Sequence, residues 1–410
     1  MIKKIIVSFC LLLSLVSFAQ GTSSPYSFYG IGDVRFKGTV ENRSMAGLSI
    51  IPDSIHLNLQ NPAQYASLKY ISFAVAGTFS ANRLSNDTQT EKAQRTTLDY
   101  LALGIPNKKV SIAFGLMPYS SVGYRINSLS ADGNTLNQYT GVGGINKVFF
   151  GLGFKLTKKI NFGIDAQYNF GRIETNNSLS ITGLQYGTNE KNVSNSGGLN
   201  FNTGITYNTK INKRISLYTA ATFSPQASMR FKNQRLIYTQ SISSLVIDYI
   251  DVPVENTHMK LPAKYSFGFG FGEFKKWAVG TEVVLQNNSG FGNRYNDINT
   301  VNYVNATKVT LGGYFIPSVK NFSKYFSKVV YRAGFRYENT GLLINDQKIK
   351  DAAFTFGFGM PLRGTFSNIN LGCELGSRGT AKAGLIREDY ANISIGLSLN
   401  DRWFQRRKYD

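Results

Sequence analysis

The chain has 410 residues, with 45 Lys and Arg against 24 Asp and Glu, for a formal net charge of +21 at neutral pH. Its two histidines, His56 and His258, lie in unrelated segments without metal-ligand spacing, and its two cysteines supply no framework, which excludes a His/Cys metal centre and a disulfide-stapled fold. No run of about 18 apolar residues occurs after residue 20, which excludes a helical membrane span.

The N-terminus reads as an export signal. Lys3 and Lys4 form a basic start, Ile5 to Phe18 an apolar stretch, and Ser17-Phe18-Ala19 a cleavage site before Gln20. Residues 1–19 are assigned to a cleaved leader. Its loss removes Cys10 and two lysines, lowers the charge from +21 to +19 and leaves only Cys373. So basic a chain in the cytosol would suggest nucleic acid; export argues against that partner. Many lysines fall at short turns, such as Lys108-Lys109, Lys158-Lys159 and Lys275-Lys276. They are solvated turns or contacts to membrane lipid and lipopolysaccharide headgroups.

Residues 20–68 are set apart as a plug, or hatch. Between Asn42 and Leu68 the residues are small, with scattered aliphatics such as Leu48, Ile50 and Ile51 and no sustained alternation. Asn61-Pro62-Ala63 breaks the chain before the first strand.

From residue 69 to about 400 the chain alternates with period two. Ile71, Phe73 and Val75 oppose Ser72, Ala74 and Ala76; Phe267, Phe269 and Phe271 are separated by single glycines; Ile393, Ile395 and Leu397 oppose Ser394, Gly396 and Ser398. Aromatics at 13%, with 40 Gly but only 10 Pro, fit aromatic-rich strands with small inward residues. An apolar face could be the core of a soluble sandwich or the lipid face of a barrel. Three features favour the barrel. The strands number about fourteen, an even count. The opposite face carries ionisable residues at mid-strand: Asp165, Glu282, Arg332, Arg336 and Glu374. Short turns near 106–109, 156–159 and 210–213 alternate with longer loops near 82–94, 120–138, 176–195 and 230–258, the pattern of periplasmic turns and outer loops. The expected fold is all-β: a 14-stranded antiparallel transmembrane β-barrel around an N-terminal plug. Residues 401–410, with Trp403 and Arg406-Arg407-Lys408, form a basic periplasmic tail.

Strand three is the chemically informative one. Pro118 cannot donate a ladder hydrogen bond, and Gly115, Met117, Ser120, Ser121 and Gly123 surround it. Two readings stay open: an inward kink that opens the wall, with Ser120 and Ser121 satisfying freed backbone groups, or a strand end at the outer rim. The five lumen charges likewise form either a paired network holding the plug or the lining of a wet lumen.

At these residues the chain resembles the FadL family of outer-membrane transporters for hydrophobic compounds: an N-terminal hatch segment with Asn61-Pro62-Ala63, then about fourteen strands. The resemblance implies passive uptake of a hydrophobic small molecule such as a long-chain fatty acid, with lateral release through the wall near Pro118. It extends to the PorV-like branch, accessory barrels of an envelope secretion machine, so other envelope proteins are alternative partners. A monomeric barrel in the outer membrane of a Gram-negative bacterium is expected. No catalytic constellation or phosphate loop stands out, so neither an enzyme nor a cofactor is expected.

Overall fold

The computed structural model describes residues 22–34, 38–130, 132–241, 243, 245–288, 290–292, 294, 301–318 and 324–402. The leader at 1–19 and the tail from Trp403 lie outside the described residues.

Fourteen strands form one antiparallel wall. They begin with β1 Ile71–Ser85, β2 Thr90–Ile105, β3 Val110–Leu129, β4 Thr135–Lys155, β5 Ile160–Ile181 and β6 Tyr186–Lys210. β7 runs Ile215–Ser224 and continues past Pro225 as Ala227–Ser241. β8 returns as Val246–Val252, Thr257–Leu261 and Lys264–Glu273, broken near Pro253 and at Pro262. Neither proline can donate to a ladder, so each break falls where a donor is missing. β9 Trp277–Gln286, β10 Ala306–Phe315, β11 Val330–Ile344, β12 Gln347–Pro361, β13 Asn368–Arg378 and β14 Arg387–Asp401 complete the wall. β14 pairs back onto β1 from Asp401↔Ile71 to Arg387↔Ser85, which closes the barrel and leaves no edge at that seam.

The period-two pattern sorts the side chains. Phe267 and Phe269 of β8, Phe354, Phe356 and Phe358 of β12, and Ile393 and Ile395 of β14 are exposed on the outside. The intervening residues point inward. A wall with an apolar exterior and a polar or small interior has lipid as its outer solvent.

The barrel is lopsided. β5 has 22 residues and β6 has 25, whereas β9 and β10 have 10 each, close to the 9–11 that suffice to span a bilayer. The connections expected as long loops near 120–138, 176–195 and 230–258 are therefore mostly strand: β3 runs to Leu129 and β4 starts at Thr135, β5 runs to Ile181 and β6 starts at Tyr186, and β7 runs to Ser241 and β8 starts at Val246. Above the membrane both faces of these strands meet water. Stretches such as Asn176–Ser180 lose their apolar alternation, and with it the sequence signal for strand.

Residues 22–34 and 38–68 lie against the inward faces of the strands. Pro62–Ser67 forms a short 3-10 helix, with Asn61 Oδ1 accepting from the Ala63 amide at 3.0 Å. Tyr65 faces Gly151 of β4, and Pro62 presses so closely on Gly163 of β5 that a Cβ there would overlap its backbone. Leu48 and Ile50 pack with Met45, and Ile50 covers Gly268, Gly270 and Gly280. The small inward face of the strands is thus what makes room for this segment.

Candidate functional site

The β2–β3 seam differs from the rest of the wall. β2 pairs with β1 along its whole length, from Ser72↔Gly104 to Ser85↔Thr90. With β3 it pairs only over five positions, from Ile105↔Ile112 to Leu101↔Leu116. Both strands continue beyond that point. Register shows how they part. In β2, Ala76 faces Tyr100 and Gly77 faces Leu98, so Asp99 is an extra, bulged residue. In β3, Pro118 faces Asn146 and Ser120 faces Ile145, so Tyr119 is bulged. Two bulges at one level bend both strands, and the ladder ends there.

Pro118 therefore lies inside a 20-residue strand and not at its end. Gly115 is still within the ladder, opposite Ala102, and Met117 is the first residue past it. From there β3 is covered on both faces: Ser120, Ser121 and Val122 are consecutive and all buried. What lies beside it is the N-terminal segment. Asp33 pairs with Ser121 and Val34 with Ser120, where β2 would otherwise sit. Ser120 Oγ donates to the Ile31 carbonyl at 2.7 Å, and the Gly123 amide donates to Ser27 Oγ at 3.2 Å. A Cβ at Gly123 would overlap the Thr22 carbonyl, so glycine is what permits that approach. An apolar cluster flanks this edge, with Ile31, Val122, Tyr124, Ile145, Met229 and Phe231 buried together and Tyr119 packed against them.

The five lumen charges divide into separate places. Arg336 and Glu374 meet: Arg336 Nη2 donates to Glu374 Oε1 at 2.7 Å, to Asp351 Oδ1 at 3.3 Å and to the Tyr390 hydroxyl at 2.9 Å. Tyr390 in turn donates to Asp351 at 2.6 Å. Arg332 donates to Asn370 Oδ1 at 3.1 Å. Glu282, two strands away on β9, accepts from the Ser49 amide at 2.8 Å and from Ser49 Oγ at 2.9 Å. Asp165 stands apart on β5, accepting from Gln167 and Asn202 amides. A single network of five is thus corrected to one ion-paired cluster and three local contacts, because the residues sit on strands spread round the wall.

Sequence reasoning missed the partners supplied by the segment itself. Arg43 pairs with Asp99, the bulged residue of β2. Arg378 of β13 donates to Asp33 at 2.8 Å. Ser24 Oγ and Asn82 Nδ2 both donate to Glu388, at 2.7 and 2.9 Å. Asn370 Nδ2 donates to Glu41 at 2.7 Å. His56 lies between two carboxylates, Nδ1 at 2.7 Å from Asp53 and Nε2 at 3.7 Å from Glu41. Burial alone would push the His56 imidazole down; Asp53 and Glu41 outweigh it and hold it above its ordinary 6.5. Burial pushes the Asp53 carboxyl up, but facing His56 holds it well below the usual range. The sequence showed these residue types but not which strand each would meet.

Of the hatch aliphatics, Leu48 and Ile50 are buried against the wall and Ile51 is half-buried beside them. They are packing residues in this arrangement. Among the described residues no cluster of His, Cys, Asp and Glu suits a metal ion.

No curated protein matches the chain. Solved structures share its fold. The toluene transporter TodX of Pseudomonas putida is 15% identical, with a TM-score of 0.59 over 90% of this chain and 98% of that one. The toluene transporter TbuX of Ralstonia pickettii is 10% identical, with a TM-score of 0.57 over 89% and 98%. A FadL homologue of Pseudomonas aeruginosa is 12% identical, with a TM-score of 0.57 over 90% and 99%. A family model described as BamG matches residues 1–410. On that match the chain belongs to the BamG family.

Proposed function

We propose that this barrel sits in the outer membrane of a Gram-negative bacterium and passes hydrophobic small molecules inward, releasing them sideways between β2 and β3. The observation that carries the reading is the ladder that ends at Leu101↔Leu116 while both strands continue. The apolar cluster around Val122 and Tyr124 gives an apolar cargo a surface that leads from the tall outer wall to that seam. Residues 20–68 act as the plug, and Asp33–Val34 closes the opening by pairing with β3. The toluene transporters TodX and TbuX and the FadL homologue, which share this fold, support the reading by analogy. Passage then requires Asp33–Val34 to leave β3.

A reversible staple tests this. Val34 and Ser120 are direct cross-strand partners, a spacing that suits a disulfide. Val34→Cys with Ser120→Cys should block uptake of a hydrophobic probe into proteoliposomes when oxidised and restore it when reduced. Unchanged uptake in the oxidised protein overturns the route. Pro118→Val, which restores a backbone donor, should also lower uptake.

A second reading is a non-transporting accessory barrel of an envelope assembly machine, to which the family name BamG hints. One observation favours it. Val246–Val252 pairs with β7 on one side only among the described residues, and Val246 to Asp251 are all exposed, with Ile247, Tyr249 and Ile250 among them. An apolar open edge above the membrane suits strand addition by a partner. Mild-detergent purification from native membranes separates the two readings: a stoichiometric complex with an inactive channel supports the second.

A further inference from the structure

The tall wall carries a further surface on its outside. Above their prolines, β7 and β8 run as Ala227–Ser241 and Thr257–Leu261. Met229, Phe231, Met259 and Leu261 are buried in the apolar cluster inside the wall. Arg230, Lys232, His258 and Lys260 alternate with them and are exposed on the outer face. Arg230 lies directly across from His258, and Lys260, across from Ser228, is its diagonal neighbour. Lys232 is two residues further along the same face, in one row with Asn195 of β6 and Arg172 of β5. Their level is set by the strands below. Ile215–Ser224 and Lys264–Glu273 have 10 residues each, enough to span a bilayer, and Ser224 pairs with Lys264 at their upper end. The cations begin four residues beyond Lys264, at Lys260, where the headgroups of the outer leaflet meet the wall. Beneath them the exterior is apolar, with Tyr168, Leu199 and Phe201 exposed and Leu199 registered on Tyr168.

The acids nearby do not neutralise this cluster. Glu174 is taken up by Arg172 at 3.2 Å and by Lys191 at 2.6 Å. Glu190 and Asp248 alternate onto the other face. Asp251 lies across from Leu236, four residues above Lys232, and Glu255 is in the short loop before Thr257. Among the described residues Arg230, Lys232 and Lys260 are in no ion pair and make no side-chain hydrogen bond. Like charges that neighbour one another on a sheet face cost stability, and an anion among them relieves it. Arginine grips a phosphate through paired N–H bonds, and lysine adds a point charge. A soluble anion gains nothing from the apolar wall just below. An anionic lipid uses both surfaces, its headgroup on the cations and an acyl chain along Leu199 and Phe201. We propose that this face is a binding site for a phosphorylated lipid of the outer leaflet, held by Arg230, Lys232 and Lys260. It rests on the outer-membrane placement proposed above and not on the β2–β3 route.

The test is titration of the purified full chain in neutral detergent with diphosphoryl lipid A, read by native mass spectrometry. Phosphatidylcholine and inorganic phosphate are the comparison probes. Saturable binding of diphosphoryl lipid A is expected, at least about tenfold weaker in Arg230→Gln/Lys232→Gln/Lys260→Gln. Glu174→Gln frees Arg172 and Lys191 and should tighten binding, a gain that misfolding cannot mimic. Absence of binding, affinity unchanged in both variants, or phosphatidylcholine bound as tightly overturns the site. Inorganic phosphate bound as tightly, and lost in the triple variant, makes the face a soluble-anion site and overturns the lipid assignment. Uptake of a hydrophobic probe is a separate assay that the triple variant should leave unchanged, so this site and the transport route fail separately.

Discussion

The N-terminal segment meets the wall in two different ways. Along β4 to β6 it is seated by shape: Tyr65 over Gly151, Pro62 on Gly163, Asn61 against Gly204. Along β11 to β14, Met45, Ser44 and Val40 press on Gly334, Gly357 and Gly396 in the same way, but here and at β2 charge is added, through Glu41 to Asn370, Asp33 to Arg378, Ser24 to Glu388 and Arg43 to Asp99. The difference matters because the two kinds of contact respond to different things. A shape fit depends on atoms that neither titrate nor dissolve. A charge fit competes with water and protons at every step. The Asp33–Val34 pairing with β3 lies where the segment is tied to Arg378, on the charged side of this division. Under the proposed route, this added charge is what lets the segment release β3 while its glycine seats hold.

The comparison is broken most severely at Arg336. It is buried between Glu374 and Asp351, so Arg336→Ala leaves two buried carboxylates facing each other. A loss of about 3–5 kcal/mol is expected, read as a lowered unfolding temperature in detergent together with faster proteolysis of the segment. On the shape side, Gly163→Val drives a side chain into Pro62. Strain of about 1–3 kcal/mol should loosen Pro62–Ser67 while the barrel itself stays folded, seen as new protease cleavage with an unchanged far-ultraviolet β signal. Asn61→Ala removes the cap of that same turn and should cost about 1 kcal/mol in the same assay.

The smallest effect sharpens the charge side. His56 is held above 6.5, so its stabilising protonation is complete below that pH and is lost as pH rises through the raised value. Asp53 is held below its ordinary value, so its share is present above about pH 3.9 and is lost only in acid. Protease access to the segment should therefore rise from neutral to alkaline pH, and His56→Gln should flatten that rise. The amplitude is modest because the Asp53 side chain is 41% exposed and partly screened.

The strand face pattern was readable because lipid and lumen impose opposite chemistry on alternate residues. Phe269 and Phe271 between glycines left little choice of architecture. The tall outer strands were not readable, since water on both sides of Asn176–Ser180 imposes no alternation. At Pro118 the sequence showed a missing donor but not its consequence. That depended on Asp99, a bulge in another strand, and on Val34, far away in the chain. The charges of the segment were visible one by one, whereas their pairing follows from strand order round the barrel.

Closure of the wall has a consequence for assembly. The seam joins Ile71 to Asp401, about 330 residues apart, so the last strand to be made must find the first. Such long-range pairing is slow, because the loop entropy is lost before the contact forms. Residues 22–34 and 38–68 precede β1 and end up against the inner face of the wall. They must already lie between the two edges when the seam zips, or they are left outside a finished cylinder. The Gly faces and paired charges that hold the segment thus also act during biogenesis, as a template on which the open sheet curls. A chain with a weakened seat should then lose yield of folded barrel before it loses the stability of whatever does fold.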